Sequence, residues 1–250
     1  MHDSSTVIIG KNAVLEALRS GKTVDRIFIQ EGKSDAAVSS IVRLTKKQGN
    51  AVIDYVPKQR LDEMTDGVHQ GIIAYMAAYT YSTVDEILAL AREKKEDPFI
   101  IILDEVEDPH NIGAIIRTAN CVGAHGVILP KRHSPGLTAA VAKASAGAIS
   151  YTKVAKVTNI TRTMEDLKKE GLWFACADMD GQSLYKTNLT GPIGLVIGNE
   201  GKGVSPLVKR ECDMIASIPM KGEIESLNAS VAAGILSYEV LRQRSIQNGK

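Results

Sequence analysis

From residue 99 onward, short apolar runs alternate with stretches of helical periodicity, and this alternation restricts the possible folds more than any other feature. Runs suited to strands lie at residues 100–103, 126–129, 172–177, 193–197 and 214–218. They are apolar at successive positions rather than at every second one, so each needs cover on both faces. Buried strands separated by helices predict an α/β architecture, a parallel sheet with helices on each side. In such a sheet, ligands bind where strands end and loops begin.

The first 78 residues repeat the alternation on a smaller scale. Asn12 can cap a helix that carries Val14, Ala17 and Leu18 on one face. Residues 26–30 read as a strand. Val38, Ile41, Val42 and Thr45 recur at helical spacing, and Gly49 suits the stop. A second strand is expected at 51–56, a short helix at 58–64 and a third strand at 71–77. A charge run from Arg92 to Asp97, followed by Pro98, marks a junction, preceded by a helix at 84–94. The expected division is a small α/β domain at 1–78, a linker at 79–98 and a large domain at 99–250.

The formal net charge is only +1, so contact with a polyanion must use a local basic surface. Candidates are Lys131, Arg132 and His133 after a strand, and Lys11, Arg19, Lys46, Lys47, Lys58 and Arg60 in the first domain. Cys121, Cys176 and Cys212 are odd in number and form no CxxC pair, which suggests reduced, mostly buried thiols. The five histidines do not fall at ligand spacing, so no metal site is expected. The polar residues 1–6 do not resemble a signal peptide, and no apolar window approaches a membrane span of about 18 residues. The expected location is the cytoplasm, without membrane attachment.

Three strand ends carry unusual chemistry. After the first apolar strand, an acidic loop from Asp104 to Asp108 leads through Pro109 into a helix with Ile112, Ile115, Ile116 and Ala119 as its apolar stripe. Asn111 can cap that helix, and Arg117 points away from the stripe. After residue 197 comes Gly198-Asn199-Glu200-Gly201-Lys202-Gly203, which matches neither a Walker A loop nor GxGxxG and can be a tight turn alone. After residue 218 comes a loop with Ser226 and Asn228, then a helix on which Leu227, Val231, Gly234, Tyr238 and Leu241 share one face. Ser226 can be that helix's cap. Glu223 and Glu225 add negative charge there and are expected to point to solvent.

The segments NIGAIIRTA, VIGNEGKG and IPMKGEIESLNASVAAGILSYE resemble, in order and spacing, the three motifs of the SpoU (TrmH-type) RNA 2′-O-ribose methyltransferases of the SPOUT superfamily. GKNAVLEAL and His69-Gln70-Gly71-Ile72 are similar to the RNA-binding substrate domain of bacterial enzymes that methylate a guanosine of large-subunit rRNA, the RlmB-like group. The resemblance implies a parallel-sheet domain with a trefoil knot, a homodimer, S-adenosylmethionine as cofactor and 23S rRNA as partner. It nominates Gly198, Ile218 and Leu227 for cofactor contact, and Asn111, Arg117, Glu200, Ser226 and Asn228 for the catalytic site.

The implied reaction is attack of a ribose 2′-hydroxyl on a sulfonium methyl. The family account makes Arg117 the base. An arginine that keeps its proton can instead grip the adjacent phosphate and stabilise a developing alkoxide. Asn111 and Asn228 then orient Arg117 or the ribose, Glu200 holds Arg117 or a loop amide, and Ser226 binds a phosphate or caps its helix. The alternatives are the same chemistry on tRNA, a non-catalytic RNA-binding assembly factor on the same scaffold, and a generic nucleotide-binding enzyme. Intact Arg117 and Gly198 disfavour the assembly factor, and the failed phosphate-loop matches disfavour the nucleotide enzyme.

Overall fold

A computed structural model describes residues 7–49, 51–224, 226–247 and 249; residues 1–6, Asn50, Glu225, Asn248 and Lys250 lie outside the described set. The chain divides into two compact units, Met1–Tyr81 with Gly136–Ala139, and Ser82–Pro135 with Ala140–Lys250.

The first unit is built on a four-stranded sheet. Its strands are β1 (Val7–Ile9), β2 (Val24–Gln30), β3 (Val52–Val56) and β4 (Ile72–Met76), in the order β1-β4-β2-β3. Only β2 and β3 run parallel; β4 is antiparallel to both its neighbours. Helices α1 (Lys11–Arg19), α2 (Ala36–Gln48) and α3 (Lys58–Met64) connect them. Val14 and Leu18 of α1 and Val38 and Ile41 of α2 meet Ile27 and Ile29 of β2 in the core. The alternate positions of β2 face inward because a strand repeats every two residues.

The caps differ in part from the sequence expectation. Gly10, at φ 93°, starts α1, and Asn12 lies inside the helix. The entry needs a left-handed backbone, which glycine adopts without cost. Gly49, at φ 73°, ends α2 as expected, while Asp35 starts it by accepting from the Val38 amide. β1 carries no distinctive pattern in its three residues and was not expected.

The second unit holds a six-stranded sheet in which every pair is parallel. In chain order its strands are β5 (Phe99–Leu103), β6 (Gly126–Pro130), β7 (Val154–Val157), β8 (Trp173–Ser183), β9 (Ile193–Ile197) and β10 (Met214–Ser217), arranged β10-β8-β9-β5-β6-β7. The helices are α4 (Val84–Lys94), α5 (Pro109–Cys121), α6 (Ala139–Ala144), α7 (Ile160–Lys169), α8 (Pro206–Glu211) and α9 (Ala229–Gln247). β5 and β9 are buried at every position. Each isoleucine placed there contributes roughly 1.5–3 kcal/mol by leaving water. β7, a four-residue strand interrupted by Lys156, is an edge strand that the sequence reading passed over.

This order sets the site. From β5 the chain moves to β6 on one side, and from β9 it moves to β10 on the other. The carboxyl ends of β5 and β9 therefore flank the point where strand order reverses, the place where open parallel sheets bind ligands.

Helix α9 turns inward a face other than the one that carries Val231 and Tyr238. Its inward face is Ala229, Ala233, Leu236, Ser237 and Val240, whereas Val231 is 48% and Tyr238 55% exposed. Apolar residues occur on more than one side of this helix, so periodicity alone could not choose the buried one. Cys121 is likewise exposed, while Cys176 is buried. No described helix is long and apolar enough to cross a membrane.

Candidate active site

Loops that follow β5, β9 and β10 converge at the reversal point. After β5, the buried Asp104 accepts from the Ser205 amide at 2.7 Å, and its own amide donates to the Ile197 carbonyl at 2.8 Å. Asp108, not Asn111, caps α5 by accepting from the His110 amide at 2.9 Å. Pro109 takes the first helical position, where a missing N–H costs nothing. Asn111 is thereby free for tertiary bonding from a buried place in the first turn.

Asn111 uses both ends of its amide. Nδ2 donates to Glu200 Oε1, and Oδ1 accepts from Asn228 Nδ2 at 3.0 Å. Asn228 in turn starts α9, its Oδ1 accepting from the amides of Ser230 at 3.0 Å and Val231 at 3.3 Å. The expected cap, Ser226, stands two residues earlier and is exposed. The result is a continuous bond path from the glycine-rich loop through α5 to the start of α9.

The glycine-rich loop is a closed turn. Asn199 and Gly203 exchange both backbone bonds, at 3.0 and 2.9 Å. The Asn199 side chain accepts from the Gly201 and Lys202 amides and donates to the Glu105 carbonyl at 3.0 Å. A Cβ on Gly198 would lie 2.1 Å from the Gly203 carbonyl carbon and 2.3 Å from the Val204 nitrogen. The close approach that requires glycine is thus made by the loop's own backbone.

Between these loops lies a cleft of about 370 Å³, within the size range of small-molecule sites. Gly198, Ile218 and Leu227 all line it, together with Glu200 and Ser226. Ile197 and Met220 extend its apolar wall. On the β8 side, partial burial pushes the Asp178 carboxyl up, but the Lys209 ammonium at 2.7 Å brings it below the usual carboxylate range. Asn111 and Asn228 reach the cleft through Glu200.

Arg117 stands apart from this network. It is exposed on α5, does not line the cleft, and has no hydrogen bond or ion pair among the described residues. Of the basic residues after β6, Arg132 and His133 are exposed, and His133 Nδ1 sits 3.5 Å from Glu107. Lys131 is half-buried, and that burial with Lys156 nearby lowers its pKa. Glu223 is exposed; Glu225 lies outside the described residues.

Sequence reasoning missed Asp104 and Asn199, which shape the site without belonging to any chemical constellation. The signal for Asn199 was present, since an asparagine two residues before a glycine favours a side-chain-closed turn. Nothing local marked Asp104, whose partner is 101 residues away.

Residues 98–238 match the SpoU rRNA methylase family, and residues 7–82 match the RNA 2′-O ribose methyltransferase substrate-binding family. YacO of Bacillus subtilis, assigned to the TrmH family of tRNA/rRNA methyltransferases, is 48% identical, covering 98% of each chain. The SpoU methyltransferase AviRb of Streptomyces viridochromogenes, solved in complex with the cofactor AdoMet, superposes with a TM-score of 0.61 at 24% identity, over 95% of this chain and 89% of that one. A TrmH/SpoU tRNA modifying enzyme of A. aeolicus gives 0.56 at 27% identity, over 66% of this chain and 87% of its own. The chain belongs to the SpoU/TrmH family of RNA methyltransferases.

Proposed function

We propose that the chain transfers a methyl group from S-adenosylmethionine to a ribose 2′-hydroxyl of RNA, with a guanosine of 23S rRNA as the target, in the cytoplasm. The observation that carries this is the Glu200–Asn111–Asn228 path beside the cleft, with the Arg117 guanidinium, unpaired among the described residues, on the helix whose first turn holds Asn111. The cleft suits the cofactor: Ile197, Ile218 and Leu227 offer apolar walls to a purine, and the loop backbone offers amides and carbonyls. Bound there, S-adenosylmethionine supplies a methyl on a sulfonium whose departing thioether is neutral.

The chain's own residues then have two tasks, to align the hydroxyl and to manage its proton. Arg117, which has no internal partner among the described residues, can take an RNA phosphate on its planar fork, hold the ribose in line and stabilise the developing alkoxide as the hydroxyl proton leaves to water. Alignment of this kind lowers a barrier by up to roughly 7–11 kcal/mol in the best cases. Glu200, fixed by Asn111, sets the wall of the cleft. Ser226, exposed at its rim, is placed to bond a substrate phosphate.

The rRNA reading is supported by the amino-terminal unit, which matches a substrate-binding family. The A. aeolicus enzyme, described as tRNA modifying, aligns with only 66% of this chain. A homodimer is supported by α9, whose exposed Val231 and Tyr238 present apolar surface next to the cleft-lining Leu227. The trefoil knot remains part of the same family reading.

The test is incubation with labelled S-adenosylmethionine and separated 23S rRNA, 16S rRNA and tRNA. Methylated riboses are mapped by reverse-transcription stops, with Arg117→Ala as control. Label at one 23S ribose, lost in Arg117→Ala, is the expected result. Label in tRNA alone would overturn the substrate, and label on a base would overturn the 2′-O assignment.

A further inference from the structure

The amino-terminal unit contains a groove of about 490 Å³ between α2 and β3. Lys33, Arg43 and Lys46 line it with Ser39, Val42 and Tyr55, and no carboxylate among the described residues does. Ser39, Arg43 and Lys46 are spaced four and three residues apart, so they form one stripe along α2. Arg43 and Lys46 are exposed and have no ion-pair partner among the described residues. Lys33 is anchored at one end of the groove, where its ammonium donates to the Gln70 carbonyl at 2.8 Å.

Tyr55 forms the other wall. It is 55% exposed on β3, one of the two edge strands of its sheet. Strand alternation places Tyr55 on the same face as Ile53, which packs on the unit's core beneath α2. Asp54 therefore points to the opposite face, where it sits 3.6 Å from Arg26. The groove keeps its positive charge because the nearest strand carboxylate is turned away from it.

We propose that this groove binds an unpaired stretch of the RNA substrate. One base stacks on the Tyr55 ring, and the flanking phosphates lie against Arg43 and Lys46. A flat exposed ring beside two unpaired cations is the combination that grips single-stranded RNA, whose bases are free to leave their own stack. A paired helix has no free base for the ring. An acidic peptide would match the charge and leave the ring unused. The proposal rests on the reading that RNA is the substrate, but its groove is lined by none of the residues assigned to methyl transfer.

The experiment uses the full chain without cofactor and a fluorescein-labelled dodecauridylate, read by anisotropy. Tyr55→Ala is expected to weaken binding by roughly tenfold, the scale of one lost base stack, and Tyr55→Phe to restore it. The double variant Arg43→Gln/Lys46→Gln is expected to reduce the salt slope of log K by about 1.4, the share of two phosphates on a single strand. Tyr55→Ala and the double variant should bind S-adenosylmethionine in calorimetry as the parent does, so a damaged transfer site and a lost groove are told apart. A 4-thiouridine dodecamer should crosslink to the peptide bearing Tyr55. Unchanged binding by Tyr55→Ala overturns the proposal. So does a 12-base-pair RNA duplex that binds as tightly as the single strand, or an oligoglutamate that displaces the probe.

Discussion

Asn228 donates from Nδ2 to Asn111 Oδ1 at 3.0 Å, joining two side chains 117 residues apart. Asn111 passes the connection on to Glu200, so its amide is engaged at both ends. The three segments that mark the family in sequence thus meet at a single carboxamide, that of Asn111. Asn111 acts here as a positioning residue that fixes Glu200 at the cleft wall.

The dual role of Asn228 gives a stability prediction. Asn228→Ala removes the cap of α9 and leaves the Asn111 carbonyl short of a donor. Loss of a cap alone costs about 1 kcal/mol, and an abandoned polar partner adds roughly another 1–3 kcal/mol. Ser226→Ala touches neither bond and should stay within about 0.5 kcal/mol of the parent. Urea unfolding of the two variants checks this. Equal losses would place the cap elsewhere.

For Arg117 the expected split is between activity and stability. The side chain is exposed and has no internal partner among the described residues, so Arg117→Ala should leave the melting temperature almost unchanged. Methyl transfer should fall by roughly 100-fold or more, as when a charge-stabilising donor is removed. Arg117→Lys should fall nearly as far, because an ammonium lacks the planar fork. Cofactor affinity, measured by calorimetry, should be the same in all three proteins.

Gly198→Ala should do the reverse. The new methyl would stand 2.1 Å from the Gly203 carbonyl carbon, and backbone cannot swing aside as a flexible side chain can. The loop must open, which costs about 1–3 kcal/mol. Cofactor affinity is expected to drop at least about tenfold together with the melting temperature. A variant that binds cofactor normally would show that the loop's closed shape is not what the cleft requires.

The site's composition was more legible than its wiring. Gly198, Glu200, Ile218, Ser226 and Leu227 were nominated by the family resemblance of two segments, and both segments follow apolar strands whose parallel arrangement brings their ends together at one cleft. The bond partners could not be read, because Asn111 and Asp108 are equally good caps on local grounds and only Pro109 between them decides for Asp108. The same limit applies to α9. Its apolar residues permit more than one buried face, and the choice depends on packing against α5, which no local window contains. Tyr55 and Arg43 were overlooked because an isolated aromatic and an isolated cation carry no signal until the fold sets them on one groove.

The exposed face of α9 predicts association. Val231 and Tyr238 together keep much of their apolar surface in water in a single chain. If a second copy covers them, Val231→Glu/Tyr238→Glu buries two carboxylates at the contact and should convert a dimer to a monomer in sedimentation equilibrium. A parent protein that sediments as a monomer across the micromolar range would remove the dimer from the proposed function.

His125 gives the fold a defined response to acid. Its side chain is buried, Nδ1 accepts from the Phe99 amide at 3.0 Å, and Nε2 faces Glu96 at 3.1 Å. Burial lowers its pKa; Glu96 opposes this, while Lys94 and Arg244 add to it. A proton on Nδ1 would also displace the Phe99 bond, which holds the first residue of β5. In the unfolded chain the same imidazole titrates near about 6.5. Between the two values the unfolded state binds more protons, so stability is fully present above about pH 6.5 and declines as the pH falls toward the folded value. His125→Asn keeps an oxygen acceptor for the Phe99 amide and removes the titration. Its melting temperature should therefore fall less than the parent's between pH 7.5 and about pH 5. Parallel curves for the two proteins would show that His125 contributes nothing to the acid response.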